Sequence, residues 1–208
     1  MELLVATRSV DKMVEIRRIL GAVPGLRLIA LDSADIMKDP AEEELEPYET
    51  FEENARSKAV YFHGKLGMPA VADDSGLAVD ALGGAPGVSS KRFAPDRGLN
   101  GKELDQANND HLMARLGDLD LAARTGRYVC AAVLVGATAA PLVVRGEAEG
   151  LILGQPRGHG GFGYDPYFFD PQIGKTFAEL DIVHKNERSH RGKAFRALAD
   201  ELIARGIQ

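Results

Sequence analysis

The feature that most constrains this chain is the alternation of short apolar stretches with helix-spaced ones along its length. Glu2 to Thr7, ELLVAT, reads as a short buried strand. Ser9 is placed to cap a helix over Val10 to Leu20, in which Val10, Met13, Ile16 and Leu20 recur at helical spacing. Gly21 and Pro24 end it, and Arg27 to Leu31 reads as a second strand, so the chain opens β-α-β. Thr50-Phe51-Glu52-Glu53 has the form of a capping box and opens a helix that runs to about Leu66 and stops at Gly67. Ala70 to Ala72 reads as a very short strand running into Asp73-Asp74-Ser75-Gly76, whose composition is that of a turn. Leu77 to Leu82 alternates like a strand, Lys102 to Leu116 reads as a helix, and Tyr128 to Val135 with Leu142 to Ala148 reads as a hairpin. Ser189 caps a last amphipathic helix through Ala204. Lys38 to Glu49, acidic and holding Pro40 and Pro47, is expected to be a loop, and the Gly- and Pro-rich stretch from Gly154 to Pro171 to lack regular structure. Strands and helices mixed in this way mean an α/β or α+β protein.

With 208 residues the chain forms one large domain or two small lobes, long enough to bury a core without a disulfide or structural metal. Lys plus Arg number 25 against 31 Asp plus Glu, a net charge of −6, so a uniformly basic nucleic-acid binder is excluded and any anionic ligand must meet a local cluster of cations. A single cysteine, Cys130, forbids an intrachain disulfide and fits a reducing, cytoplasmic compartment. No signal peptide is expected in MELLVATRSVDK, and Val129 to Val144 is too short and too broken, by Gly136, Thr138 and Pro141, to cross a membrane. Neither nucleic acid nor membrane is an expected partner.

The chemistry-bearing residues lie far apart. Asp73-Asp74 follows an apolar strand and precedes Ser75-Gly76, a good place for Mg²⁺, which takes one or two carboxylates together with waters and phosphate oxygens. Glu42-Glu43-Glu44 with Glu46 is a second acidic source, mostly a solvated face. Lys12 sits at the start of a helix, where free N–H groups and the dipole attract phosphate, and Lys58 lies inside the capped helix. Lys185-Asn186 and Ser189-His190-Arg191-Gly192-Lys193 gather cations at a helix start, where they oppose the dipole unless something anionic relieves them. Gly158 to Gly163 matches G-x-G-x-x-G, but Tyr164-Asp165-Pro166 follows, so it cannot open a helix as a dinucleotide fingerprint must. It reads instead as a flexible wall that brings backbone amides and two aromatic rings to a flat ligand. Together these parts suggest a nucleoside polyphosphate site assembled from distant segments.

Six blocks carry a resemblance: LLVATRSVDKMVEIRRIL, TFEENARSKA, ADDSGLAVDALGGAPGVSSKRFA, PRGHGGFGYDPYF, GKTFAEL and SHRGKAFRAL. In this order they resemble the inosine triphosphate pyrophosphatase family, from Leu3 to Leu202. The resemblance implies an elongated two-lobed α/β fold with a long central mixed sheet flanked by helices, an active-site cleft between the lobes, and a homodimer. It implies Mg²⁺-dependent splitting of dITP, ITP or XTP into the monophosphate and pyrophosphate. Carried over motif by motif, Thr7, Arg8, Ser9, Val10, Asp11 and Lys12 would cradle the triphosphate. Glu46 and Asp74 would hold Mg²⁺, with Asp74 also the proton acceptor, and Ser75 and Lys58 would meet the substrate. Phe162, Gly163, Tyr164 and Asp165 would line the base and sugar, and Lys185, His190 and Arg191 would recognise the purine. Two departures stand out. Glu-Pro-Tyr-Glu-Thr-Phe replaces the family's commoner Glu-Thr-Gly-x-Thr-Phe, which keeps Glu44 as an alternative to Glu46. Thr7-Arg8-Ser9 replaces Thr-Gly-Asn, so Arg8 either adds charge to the cradle or points to solvent.

Overall fold

The computed structural model of the protein describes residues 1–34 and 36–207. The elements in chain order are β1 (Glu2–Val5), α1 (Val10–Leu20), β2 (Arg27–Ala30), α2 (Phe51–Leu66), β3 (Ala70–Val79), α3 (Gly101–Leu116), β4 (Thr125–Val135), β5 (Leu142–Ile152), β6 (Phe168–Asp170), β7 (Lys175–Thr176), α4 (Ile182–Arg188) and α5 (His190–Ala204). The strands form a mixed sheet in the order β2-β1-β3-β4-β5-β6-β7. β1 pairs in parallel with both β2 and β3, whereas β6 is antiparallel to β5 and β7. With helices against this sheet, the class is α/β.

The chain divides into two compact units. Unit 1 comprises Met1–Ser75, Cys130–Gly146 and Ser189–Gln208; unit 2 comprises Gly76–Val129 and Glu147–Arg188. In unit 1 the period of two along a strand sends alternate side chains to opposite faces. Leu3 and Val5 of β1, Val71 of β3, and Cys130, Ala132 and Leu134 of β4 pack with Met13, Ile16 and Leu20 of α1 and Phe195, Leu198 and Leu202 of α5. Leu4, Ala70, Ala72, Val133 and Val135 pack on the other face with Ala55, Ala59 and Phe62 of α2. The core of unit 2 joins Leu77 and Val79 to Leu112 and Leu116 of α3 and to an aromatic group of Tyr128, Tyr164, Phe168 and Phe177. Tyr128 and Phe168 lie 4.7 Å apart between ring centroids, and Phe168 and Phe177 4.8 Å.

The local signals read from the sequence act as stated at the helix ends. Ser9 Oγ accepts from Lys12 N–H at 3.3 Å, Thr50 Oγ1 from Glu53 N–H at 3.2 Å and Ser189 Oγ from Gly192 N–H at 3.0 Å. Gly67 ends α2 at φ +67°, a left-handed conformation that glycine adopts without penalty. The structure corrects four expectations. Asp73 to Gly76 are not a turn but the middle of a continuous ten-residue strand, β3, because strand neighbours on both sides outweigh local turn propensity. Pro40–Glu44 is a short 3-10 helix capped by Asp39 rather than plain loop. β6 lies within the stretch expected to be irregular, and the strand expected over Leu77 to Leu82 stops at Val79, with Asp80–Leu82 a 3-10 helix. Among the described residues no helix is long and apolar enough to cross a membrane.

Candidate active site

Because Asp73 and Asp74 lie on a strand, their side chains leave opposite faces of the sheet. Asp73 follows Val71 toward α1 and α5; Asp74 follows Ala72 toward α2. Two tandem acids therefore enter different surroundings, both within unit 1.

Asp73 is 3% exposed. Its Oδ2 meets Lys12 Nζ at 3.0 Å, from the first turn of α1, and Arg191 Nε at 3.3 Å, from the first turn of α5. The guanidinium also donates through Nη1 to Glu15 Oε2 at 2.5 Å and through Nη2 to Ser75 Oγ at 2.7 Å. Arg191 is 2% exposed, so this is a buried ion cluster. Burial opposes ionisation of Asp73, yet Lys12, Arg191 and Lys58 together hold it far below the usual carboxylate range. Burial likewise opposes charge on Arg191, and Asp73 and Glu15 raise its pKa in spite of it. The start of α5 lies close against β5, since a Cβ at Gly146 would fall 2.3 Å from the His190 carbonyl oxygen.

Asp74 faces α2. Asn54 Nδ2 donates to its Oδ2 at 3.1 Å, and Ser75 N–H donates to its Oδ1 at 3.0 Å. Lys58, four residues after Asn54 and so on the same helix face, places Nζ 3.8 Å from Asp74 Oδ1, 2.5 Å from Glu46 Oε1 and 2.6 Å from the Asp73 carbonyl oxygen. Burial pushes the Asp74 carboxyl above its ordinary value, and Lys58 and Lys12 only partly offset this. Lys58 is raised: burial works against its charge, but Glu46, Asp74 and Asp73 outweigh it. Two carboxylates thus already converge on one cationic group. Glu46 is the member of the acidic run that reaches this point, while Glu44 is exposed. Among the described residues no group of three or more His, Cys, Asp or Glu is arranged to hold a metal by itself.

The turn before α1 behaves differently from its expected role at one position. Thr7, Ser9, Val10 and Asp11 frame the helix start, with Ser9 N–H donating to Thr7 Oγ1 at 3.2 Å and Val10 and Asp11 exposed. Arg8 turns neither into the cradle nor freely into solvent. Its Nε and Nη2 donate to Glu42 Oε2 and Oε1 at 3.0 and 2.8 Å, and Nη1 and Nη2 donate to the Ile36 and Met37 carbonyls at 2.8 and 3.2 Å. It fastens the start of the acidic segment that ends in Glu46.

In unit 2, Asp165 is a buried hub. Its Oδ2 accepts from Phe162 N–H at 2.9 Å and from Lys185 Nζ at 2.7 Å. The Lys185 ammonium lies 4.6 Å from the Phe162 ring centroid, a cation–π contact. Tyr164 is 4% exposed and donates its hydroxyl to the Ser90 carbonyl at 2.7 Å, so it braces the loop from inside. Gly161 has φ +70°, and a Cβ there would fall 2.0 Å from Asp165 Oδ2, so a larger residue would strain the backbone and displace the hub.

Residues that sequence reasoning passed over are the ones that hold these groups. Glu15 lies off the apolar stripe of α1 and reads as an ordinary polar helix position, although it is buried. Asn54 shares a face with Lys58. Asp105 and Asn109 of α3 bond to Gly163, and nothing in their local sequence announces it.

The Ham1 family profile matches residues 3–201. A dITP/XTP pyrophosphatase of Frankia alni is 44% identical over 200 residues, 96% of each chain. That of Geobacter sulfurreducens is 43% identical over 206 residues, 99% of this chain and 98% of the relative. A HAM1 protein from Coxiella burnetii has the same fold, with a TM-score of 0.83 and 33% identity over 98% of this chain and 99% of that one. A nucleoside-triphosphatase / dITP/XTP pyrophosphatase from Mycobacterium abscessus gives a TM-score of 0.71 and 39% identity over 95% of this chain and 98% of that one. With its profile spanning almost the whole length and its fold shared at this identity, the chain belongs to the Ham1 family.

Proposed function

We propose that the protein is a hydrolase that splits dITP, ITP and XTP into the nucleoside monophosphate and pyrophosphate, removing non-standard purines from the nucleotide pool. The observation that carries this reading is the meeting of Glu46 and Asp74 at the Lys58 ammonium, beside the Lys12–Asp73 pair. Such a site offers acids for a divalent cation and cations for a polyphosphate. The name dITP/XTP pyrophosphatase borne by relatives at 44% and 43% identity supports the same substrate class.

In this proposal water forms a bond to the α-phosphorus, the bond to the bridging oxygen of the β-phosphate breaks, and the water proton passes to Asp74. Asn54 and Ser75 fix the orientation of its carboxylate. Lys12 and Lys58 stabilise charge on the phosphates, and Thr7, Ser9, Val10 and Asp11 present the helix start to the triphosphate. Glu46 and Asp74 would hold Mg²⁺, since their donors are all hard oxygens and the remaining positions suit water and phosphate. When bound, the ion neutralises phosphate charge and lowers the pKa of water. Phe162 offers a ring face to the base, and Lys185, held by Asp165, and His190 supply polar groups for it. Arg191, held by Glu15, Asp73 and Ser75, is proposed to recognise the purine with His190. The protein is proposed to work as a cytoplasmic homodimer.

The test is a panel of dITP, ITP, XTP, dATP, dGTP, dCTP and dTTP with Mg²⁺, scoring pyrophosphate against orthophosphate. Pyrophosphate with the monophosphate is expected, with kcat/KM for dITP at least ~100-fold above dATP, as hydrogen-bonding sites can discriminate. Release of orthophosphate, or equal turnover of dATP, would refute the reading. Chelation of the ion tests the metal separately.

A further inference from the structure

The loop that presents Phe162 is held by a helix outside it. Asp105 Oδ2 accepts from Gly163 N–H at 2.9 Å, and Asn109 Nδ2 donates to the Gly163 carbonyl at 2.9 Å. Asp105 and Asn109 are four residues apart on α3, so one helix face offers an acceptor and a donor to both polar groups of a single residue. Asn109 is 4% exposed, and its Nδ2 also donates to the Asp105 carbonyl at 2.9 Å, which fixes the amide orientation. Gly163 takes φ +62°, a left-handed conformation that glycine adopts freely. On the other side, the Phe162 N–H is fixed by Asp165. The Phe162 backbone is therefore clamped at both ends, by Asp165 before the ring and by α3 after it.

We infer that Asp105 and Asn109 are positioning residues that hold the Phe162 ring in the attitude needed to receive a purine face. The inference rests on the function proposed above and deepens it. Neither residue touches substrate. A loop with glycine at positions 158, 160, 161 and 163 loses most of its freedom when it orders around a ligand. A clamp that orders it beforehand lowers the entropic cost of binding. Its loss falls on KM and spares kcat, because the reacting phosphate is served by Asp74, Lys12 and Lys58.

The experiment compares Asp105→Ala, which removes the acceptor, with Asp105→Asn, which keeps an acceptor oxygen. Steady-state kinetics with dITP and amide exchange at Gly163 are read on each. Asp105→Ala should raise KM about tenfold, the scale of one hydrogen bond to a charged group, with kcat within about twofold. Gly163 exchange should speed up, and Asp105→Asn should return both readouts most of the way to the parent. Asn109→Leu, which keeps volume on α3 and removes the donor, should give the same split even where Asp105→Ala folds poorly. A parent-like KM in both loss variants, or a fall in kcat with KM unchanged, overturns the inference. Should the parent release no pyrophosphate from any purine triphosphate, the proposed function fails. The clamp is then judged by exchange alone, and unchanged Gly163 exchange in Asp105→Ala sinks it.

Discussion

Arg191→Met removes the guanidinium shared by Glu15, Asp73 and Ser75 while keeping a long apolar stem in the same place. The side chains of Arg191, Glu15 and Asp73 are 2%, 3% and 1% exposed, so solvent cannot replace the lost partner. Breaking a buried pair from one side costs ~3–5 kcal/mol, because the remaining charge stays desolvated. For a chain of this size each kcal/mol moves Tm by ~2–4 °C, so the variant should melt ~6–20 °C below the parent. The sign of the pH dependence follows from Asp73, whose folded-state pKa is held below its unfolded value. A depressed carboxyl contributes stability that is present above the unfolded pKa, ~3.9, and is lost as pH falls through the folded value. Without Arg191 that depression shrinks while burial still opposes the charge. The Tm gap between parent and variant should therefore be widest near neutrality and narrow below pH ~4. Calorimetry at a series of pH values reads both effects. A Tm loss under ~2 °C at neutral pH, or a gap that does not change with pH, refutes the buried-cluster account.

Two other perturbations address the remaining groups. Asp74→Asn should lower kcat at least ~100-fold if Asp74 takes the water proton. The same change should leave Tm at neutral pH no lower than the parent's, since burial disfavours the charge it removes. Near-normal turnover removes Asp74 from its role. A double-mutant cycle of Arg8→Ala and Glu42→Ala, followed by urea unfolding, should give a coupling of ~1 kcal/mol, because the pair is bidentate and the Glu42 side chain is only 8% exposed. The Arg8 hydrogen bond holds Glu42 below its ordinary pKa, so this coupling should be full above the unfolded carboxyl value and fade as the solution is acidified. Zero coupling at neutral pH would show that Arg8 does not fasten the segment.

What the sequence reveals depends on how local the cause is. The first helix is readable because its cap, Ser9, lies next to apolar residues at helical spacing, and the structure starts and ends it at the same residues. The second helix stops where Gly67 enters the left-handed region. By contrast, β3 is hidden under turn-forming residues, since the ladder that makes Asp73 to Gly76 a strand comes from segments far away in sequence. The seven residues of α4 are too few for a period to emerge. The same division holds for the site. Lys12, Lys58, Glu46 and Asp74 declare their chemistry by type. Glu15, Asn54, Asp105 and Asn109 look like ordinary polar helix residues until the fold brings them to Arg191, Asp74 and Gly163. Arg8 shows the converse: its charge is obvious, but its partners lie 24 to 34 residues onward.

The strand assignment of β3 changes the chemistry more than it changes the fold. Two adjacent acids in a turn could share one metal or one proton. On a strand they are forced to opposite faces, and the faces differ. Asp73 enters a pocket of Lys12 and Arg191 that keeps it ionised, which makes it a weak base and a good anchor for both cations. Asp74 enters a pocket in which burial raises its affinity for a proton, while Asn54 and Lys58 keep it oriented and within reach of Glu46. Neighbouring groups whose surroundings drive their pKa values apart divide acid–base work between them. By that rule the proposed proton acceptor is Asp74, while Asp73 is the fixed charge that pairs with Lys12 and Arg191.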